Sequence, residues 1–219
     1  RLDRFDPEGY VRRGRLYASQ KDYDNAIADM DMAISLDTAN TFAYFNRAIM
    51  YYEQERYKEA MDDLNQVLED EPGNALTLYN RGLIHAQLGA YEEALDDMDR
   101  VLNINPENVL AYFNRASIFL EMGPYRHELE DYDKAIELNS RLIYAWYNKG
   151  NLLLKINDLT SALNCYSEAI RINPEFGQAY YNRGLVYLQL GNKTNGISDL
   201  SKAGELGVLP SYNVLKRMK

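Results

Sequence analysis

Residues 75–108 read ALTLYNRGLIHAQLGAYEEALDDMDRVLNINPEN, and the phrase Asn80-Arg81-Gly82 near their start occurs in related forms along the whole chain. The copies follow one another at intervals of 34 residues: Arg12-Arg13-Gly14, Asn46-Arg47-Ala48, Asn80-Arg81-Gly82, Asn114-Arg115-Ala116, Asn148-Lys149-Gly150 and Asn182-Arg183-Gly184. A period of this length is typical of stacked structural units, none of which can bury its apolar face alone. The sequence therefore predicts one continuous repeat array rather than two globular domains.

Each unit contains two helical patterns separated by a turn. In residues 75–108 the first pattern runs into Gly89, and apolar residues at helical spacing follow from Ala94 to Leu102. The second helix should end near Asn105-Pro106, because proline restricts the residue before it and stops a helix. Glycine within a helix costs roughly 1 kcal/mol relative to alanine. The recurring small residue in the phrase therefore predicts close contact between the two helices.

Numbered from the first residue of each unit, the pattern resembles the tetratricopeptide repeat family over nearly the whole chain. The small residue of that family at position eight is present in every unit, and its aromatic residue at position four appears as Tyr10, Tyr44, Tyr112, Trp146 and Tyr180. The resemblance implies an all-α fold, a right-handed α-solenoid of stacked helix-turn-helix repeats with a short C-terminal capping helix. We expect a single solenoid over residues 1–219, with repeats at 7–40, 41–74, 75–108, 109–142, 143–176 and 177–210 and the cap at 211–219.

Position seven, which is apolar in many members of the family, carries a cation in every unit, and position 23 carries an aspartate in every unit but one. The exception has Cys165 in place of aspartate, and the same unit has Lys149 in place of arginine. This matched change predicts pairing within each unit, since a guanidinium binds a carboxylate through two hydrogen bonds and lysine does not. The expected pairs are Arg13 with Asp29, Arg47 with Asp63, Arg81 with Asp97, Arg115 with Asp131, and Arg183 with Asp199. We expect a structural clamp between the helices; the alternative is a charged binding strip.

Positions 2, 5, 6, 9, 12 and 13 of the first helix form one stripe, which lines the concave face in tetratricopeptide arrays. Position six carries Asn46, Asn80, Asn114, Asn148 and Asn182, position five carries Phe45, Tyr79, Phe113, Tyr147 and Tyr181, and position twelve adds Tyr52. An amide both donates and accepts hydrogen bonds, so a row of amides can bind a peptide backbone whatever its side chains. Aromatic side chains supply apolar contact area at binding sites. The stripe therefore predicts a groove for an extended or helical protein segment; the alternative is that the asparagines mainly support the fold.

The composition argues against several other classes of function. A net charge of −9 disfavours nucleic acid and anionic membrane surfaces, both of which bind clusters of Lys and Arg. No apolar run is long enough to cross a bilayer. The only histidines, His85 and His127, are 42 residues apart, and neither is near Cys165. Without metal-ligand spacing or a phosphate-binding glycine loop, we expect no enzyme activity and no cofactor.

The sequence thus predicts a non-enzymatic protein–protein interaction module whose partner is a protein or peptide segment. One alternative is a self-assembling structural scaffold, and another is a regulatory fragment of a larger protein whose other domain carries the activity. We expect a monomer or a weak homodimer, because the acidic second helices should repel one another. The first residue is Arg1, so we expect the native N-terminus to lie upstream, and the sequence leaves the compartment open.

Overall fold

A computed structural model describes residues 6–123 and 128–218, together with the main chain but not the side chain of Glu128. These residues form thirteen α-helices and no strand. The helices are α1 Pro7–Ser19, α2 Tyr23–Leu36, α3 Thr41–Glu53, α4 Tyr57–Asp70, α5 Ala75–Gln87, α6 Tyr91–Ile104, α7 Val109–Met122, α8 Glu128–Leu138, α9 Ile143–Lys155, α10 Leu159–Ile172, α11 Gly177–Gln189, α12 Lys193–Glu205 and α13 Pro210–Arg217. Every first helix begins at the first residue of its predicted unit, which confirms the all-α repeat fold and the C-terminal helix.

The helices belong to two compact units, Arg1–Pro106 and Glu107–Lys219. Within each unit, consecutive helices pack as antiparallel pairs, and each pair packs on the next. The continuity of the six repeats as one solenoid stays a prediction. In residues 6–123 and 128–218, no helix is both long and apolar enough to cross a membrane.

The helix ends follow from local hydrogen bonding. Asn40, Asn74 and Asn108 precede first helices, and the side-chain oxygen of each accepts a hydrogen bond from the backbone N–H three residues later, at 2.9 to 3.0 Å. These bonds satisfy donors that have no partner within the helix. The turn after the first helix requires positive φ, which Gly89 and Gly191 adopt without strain, at 75° and 78°. The second helix α6 ends at Ile104, directly before Asn105-Pro106, as predicted.

The two helices of a repeat touch at position eight. A Cβ atom built on Gly82 would lie 2.8 Å from Met98 Cε and 3.4 Å from the backbone oxygen of Ala94. A Cβ atom on Gly150 would lie 2.8 Å from Tyr166 Cε1. The predicted close contact is therefore confirmed. The opposite wall consists of the backbone at position 20 and of the large buried side chain at position 24.

Beside this contact, the cation at position seven binds the aspartate at position 23. Arg81 donates to Asp97 through Nε at 2.9 Å and Nη2 at 2.7 Å, and the Asp97 side chain is buried. Four other pairs have the same two-bond geometry, with distances of 2.5 to 2.9 Å: Arg13–Asp29, Arg47–Asp63, Arg115–Asp131 and Arg183–Asp199. The hydrogen bond to Asp97 raises the pKa of Arg81, so this guanidinium remains charged.

The same cations also bind the preceding repeat, a link that the sequence analysis missed. Arg47 Nη1 donates to Asp31 Oδ1 at 2.5 Å, and Arg81 Nη1 donates to Asn65 Oδ1 at 2.8 Å. In the second unit, Arg183 Nη1 donates to Ser167 Oγ at 3.0 Å. The acceptors occupy position 25 of the preceding second helix. Each of these arginines therefore joins its own two helices to the helix before them.

The fifth repeat lacks the clamp and keeps only the link to its neighbour. Lys149 Nζ binds Asp133 Oδ1, which is at position 25 of the preceding repeat. Cys165 is nearly buried, and burial raises the pKa of its thiol to about 11. An open surface pocket of about 330 Å³ lies here, with Trp146, Leu153 and Lys149 in its wall. The paired loss of arginine and aspartate thus coincides with an open pocket at the surface.

We propose that the clamp is structural, and a double-mutant cycle on Arg81→Ala and Asp97→Ala tests this role. Each single variant leaves a buried or partly buried charge unpaired, so we expect the pair to show a coupling free energy of about 2 kcal/mol or more in urea unfolding. The exposed pair Arg56–Glu59 in the same unit is the control, for which we expect about 0.5 kcal/mol or less. Equal coupling in the two cycles would contradict the clamp.

A second prediction concerns restoring the clamp in the fifth repeat. Cys165→Asp alone should destabilise the protein, because it buries a carboxylate while Lys149 remains bound to Asp133. Adding Lys149→Arg should recover about 1 kcal/mol or more, since Arg can bind both aspartates as Arg47 binds Asp31 and Asp63. This recovery of stability is measured by comparing the free energies of unfolding of the two single variants and the double variant. Simple additivity of the two substitutions would contradict it.

Candidate protein-binding face

The candidate site is the stripe at positions 2, 5, 6, 9, 12 and 13 of the first helices, here called the groove face. Its first-unit part lies on α3 and α5, and its second-unit part lies on α7, α9 and α11. The small residue at position eight holds each first helix against its second helix, and the cation at position seven does so in every repeat but the fifth. The stripe on the remaining side is therefore left for other contacts.

Two asparagines of the first unit have a fixed amide orientation. Asn46 Nδ2 donates to the backbone oxygen of Phe42, and Asn80 Nδ2 donates to that of Leu76, each at 2.7 Å. Only the amide nitrogen can donate to a carbonyl, so this bond also orients the amide oxygen. Each Oδ1 lacks a hydrogen-bond partner in the described part of the chain. The pair thus presents acceptors rather than the mixed donors and acceptors that the sequence suggested.

The asparagines of the second unit fall into three different environments. Asn114 Nδ2 donates to the backbone oxygen of Leu110 at 2.9 Å, as in the first unit. Asn148 is half-buried. Asn182 Nδ2 donates to Tyr147 Oη at 3.1 Å and to Asn151 Oδ1 at 2.8 Å. The position-six row is therefore not uniform.

Asn151 connects Asn182 to the interior of the fifth repeat. Its Oδ1 also accepts a hydrogen bond from Tyr166 Oη at 2.9 Å, and burial raises the pKa of this phenol. The fourth repeat has the same arrangement, in which the hydroxyl groups of Ser117 and Tyr132 lie 3.2 Å apart. A polar residue at position nine thus accompanies a tyrosine at position 24. This matched change is visible in the sequence and could have been used to predict both contacts.

The aromatic residues at position five are half-buried and serve partly as core. Phe113 packs against Tyr132 with ring centroids 6.1 Å apart, and Tyr147 packs against Tyr166 at 6.0 Å. Phe45 packs against the buried cluster of the second repeat. Tyr79 and Tyr181 are also half-buried. The ring centroid of Tyr52 lies 5.8 Å from that of Tyr57 on the next helix. These rings therefore offer only one edge or face to a partner.

Position two carries the most exposed apolar residues of the groove face. In the first unit, Phe42 is 51% exposed and Leu76 is 59% exposed. In the second unit, Leu110 is 50% exposed and Tyr144 is 60% exposed. Tyr144 also packs edge-on against Phe176, with centroids 5.7 Å apart. Position two belongs to the predicted stripe, but its residues were not among the predicted contact residues.

His85 and Cys165 are held in packing, and His127 lies outside the described residues. Among residues 6–123 and 128–218, no group of three or more His, Cys, Asp or Glu side chains is arranged to hold a metal ion. His85 Nε2 lies 3.9 Å from Asp97 Oδ2, beside the Arg81 clamp. A thiol pKa of about 11 keeps Cys165 protonated and hence a poor nucleophile at neutral pH.

Solved structures of repeat proteins share this fold at low sequence identity. PilF from Pseudomonas aeruginosa is 18% identical, with 97% of each chain covered and a TM-score of 0.82. YrrB, whose structure is described as that of a TPR protein with an unusual peptide-binding site, is 21% identical over 85% of this chain and 97% of its own, with a TM-score of 0.70. MamA is 22% identical over 76% of this chain and 91% of its own, also with a TM-score of 0.70. No curated protein sequence matches the chain.

Three family models match the sequence, and one of them matches in phase with the repeats. Those described as tetratricopeptide repeat match residues 7–40, 109–141 and 177–206 in one case and residues 45–108 in another. A third, described as TPR repeat, matches residues 150–191. Together with the helix-turn-helix units of 34 residues, these matches show that the chain belongs to the tetratricopeptide repeat family.

Proposed function

We propose that this protein is a non-enzymatic interaction module that binds a protein segment on the groove face of its first helices. The observation that carries the proposal is the combination, within each unit, of half-exposed apolar side chains at position two and amide groups at position six. The family and the fold are those of protein-interaction scaffolds, and the YrrB structure is described as having a peptide-binding site. These relatives support the proposed class of function. The residues of the groove face support the proposed location of the binding site.

The apolar part of the face would supply most of the affinity. Phe42, Leu76, Leu110 and Tyr144 each expose half or more of their surface. Burying the exposed half of such a side chain stabilises a complex by about 1 kcal/mol. A segment that covers the two such residues of one unit would gain about 2 kcal/mol from them, before any contact with the position-five aromatics. This is enough to matter for a peptide complex, since about 1.4 kcal/mol changes affinity tenfold.

The amides would supply the backbone contacts. Asn46 and Asn80 are held by their own helix and present Oδ1, so they suit the N–H groups of an extended segment. A preorganised acceptor loses little side-chain entropy on binding. Asn182 already donates both amide hydrogens inside the protein, so its contribution is to hold Tyr147 rather than to bind a backbone. The proposed contacts of the second unit are accordingly those of Asn114 and Asn148.

Photo-crosslinking can test the location directly. A photoreactive amino acid in place of Leu76 should capture a partner from a lysate of the source cells, because position two lies on the groove face. The same amino acid in place of Leu88, which is 56% exposed at the end of the same helix, is the matched control. Capture of the same protein with equal yield at both positions would contradict the proposed location.

The captured segment then tests the asparagine row. With its peptide in hand, Asn46→Ala with Asn80→Ala should weaken binding about 5- to 30-fold, as expected for two hydrogen bonds of roughly 1 kcal/mol each. Asn103→Ala on the outer side of α6 is the control and should leave the affinity unchanged. Circular dichroism should show that all variants are equally folded. Unchanged affinity of the double variant would leave the asparagine row with a structural role only.

A further inference from the structure

Two asparagines on neighbouring first helices form a connected pair on the groove face of the second unit. Asn151 is at position nine of α9, and Asn182 is at position six of α11. Asn182 Nδ2 donates to Asn151 Oδ1 at 2.8 Å, which joins the two amides. Asn46, Asn80 and Asn114 instead donate to the backbone of their own helices. The pair therefore gives this part of the groove face a hydrogen-bonding pattern of its own.

A buried tyrosine fixes the orientation of both amides. Tyr166 is fully buried, and its hydroxyl group donates to Asn151 Oδ1 at 2.9 Å. Because burial raises the pKa of this phenol, the hydroxyl group stays protonated and acts as a donor. Asn151 must then direct its oxygen inward, and Asn182 must present its nitrogen to that oxygen. The orientation of the outer groups thus follows from a contact in the core.

This orientation leaves one acceptor and two donors without a partner in the part of the chain that the structure describes. The acceptor is Asn182 Oδ1, because Asn182 Nδ2 uses its hydrogens on Asn151 and on Tyr147 Oη. The donors are Asn151 Nδ2 and the hydroxyl hydrogen of Tyr147. Lys155 is the only charged residue at the stripe positions of α9 and α11. The three groups therefore form an uncharged polar site, here called the amide subsite.

We propose that the amide subsite binds the side-chain carboxamide of a glutamine or asparagine in the segment held by the groove face, a role that rests on the function proposed above. A primary carboxamide carries a carbonyl oxygen with two lone pairs and an NH₂ group with two hydrogens. The oxygen can accept from Asn151 Nδ2 and Tyr147 Oη, while the nitrogen donates to Asn182 Oδ1. One ligand group therefore satisfies all three protein groups.

Other polar groups of a protein segment match the amide subsite less well. A carboxylate has no hydrogen to donate to Asn182 Oδ1, so two acceptors would face each other. An ammonium or guanidinium group has no acceptor for Asn151 Nδ2 and Tyr147 Oη. A backbone peptide group is trans, so its N–H and C=O point in opposite directions, whereas a primary carboxamide presents both on one edge. The chemistry thus favours glutamine or asparagine over charged residues and over the main chain.

Peptide selection on the full 219-residue chain tests this preference. The probe is a phage library of random peptides, and loss of binding to Tyr144→Asp identifies the peptides that bind the groove face of α9. We expect these groove peptides to share a glutamine or asparagine at one position. A synthetic copy with Glu in its place should bind at least about tenfold more weakly, because the carboxylate leaves the acceptor unpaired. A copy with Met, which has similar length and no amide, should bind about fivefold or more weakly.

Two variants of the protein separate recognition from stability. Asn151→Asp keeps an inward oxygen for Tyr166 and Asn182 but replaces the outward donor by a charged acceptor. It should weaken the glutamine peptide about tenfold and strengthen a copy with Lys at that position. Tyr166→Phe removes the group that orients Asn151, so it should reduce the preference for Gln over Glu about threefold or more. Asn164→Asp, exposed on α10, adds the same charge away from the groove face and should change neither preference.

The possible results distinguish the amide subsite from the groove function. Groove peptides that lack a shared Gln or Asn, or that bind equally well with Glu, would overturn the amide subsite and leave the groove function standing. Peptides that tolerate Met without loss but bind Asn151→Asp weakly would overturn it by assigning the asparagine pair to the main chain of the segment. A library without any peptide that depends on Tyr144 would contradict both.

Discussion

The close contact between the two helices of each repeat is the constraint on which the rest of the structure depends. A Cβ atom on Gly82 would lie 2.8 Å from Met98 Cε, so the end of the Met98 side chain would have to move, and the Arg81–Asp97 clamp lies directly beside this contact. A buried aspartate is tolerated because two hydrogen bonds to a guanidinium compensate for its lost hydration. The contact fixes how each first helix rotates, and that rotation decides which residues lie on the groove face. In the fifth repeat, which lacks the clamp, an open surface pocket lies beside Lys149 and Cys165.

The cation at position seven binds both its own repeat and the preceding repeat, and this explains why arginine is the usual residue there. Nε and Nη2 of Arg47 bind Asp63 in its own repeat, while Nη1 binds Asp31 in the repeat before it. Lysine has one nitrogen, so Lys149 can keep only one of these partners and binds Asp133. In a repeat protein the contacts between neighbouring units supply much of the stability. A residue that joins three helices is therefore well placed to make neighbouring repeats fold together.

The sequence was sufficient to predict the fold, because the 34-residue period locates the start of every first helix. Asn80-Arg81-Gly82 and its five counterparts also place the first-helix stripe. The finer contacts of the site could not be predicted in the same way. Asn80 and Asn182 occupy the same position, yet one donates to its own helix and the other to Tyr147 and Asn151. An amide has several possible partners within reach, and only the side chains around it decide among them. Position nine and position 24 change together in the fourth and fifth repeats, and that signal would have identified the environment of Asn182.

The exposed residues at position two, rather than the aromatics at position five, offer most of the apolar contact area of the groove face to a partner segment. The position-five aromatics are committed in part to packing, whereas Leu76 and its counterparts leave half or more of their surface available. Hydrogen exchange measured with and without the captured partner segment tests this account most directly. Slower exchange of the α3 and α5 amides, with α4 and α6 unchanged, is the result that the account predicts. Protection confined to α4 and α6 would place the partner on the outer helices and contradict it.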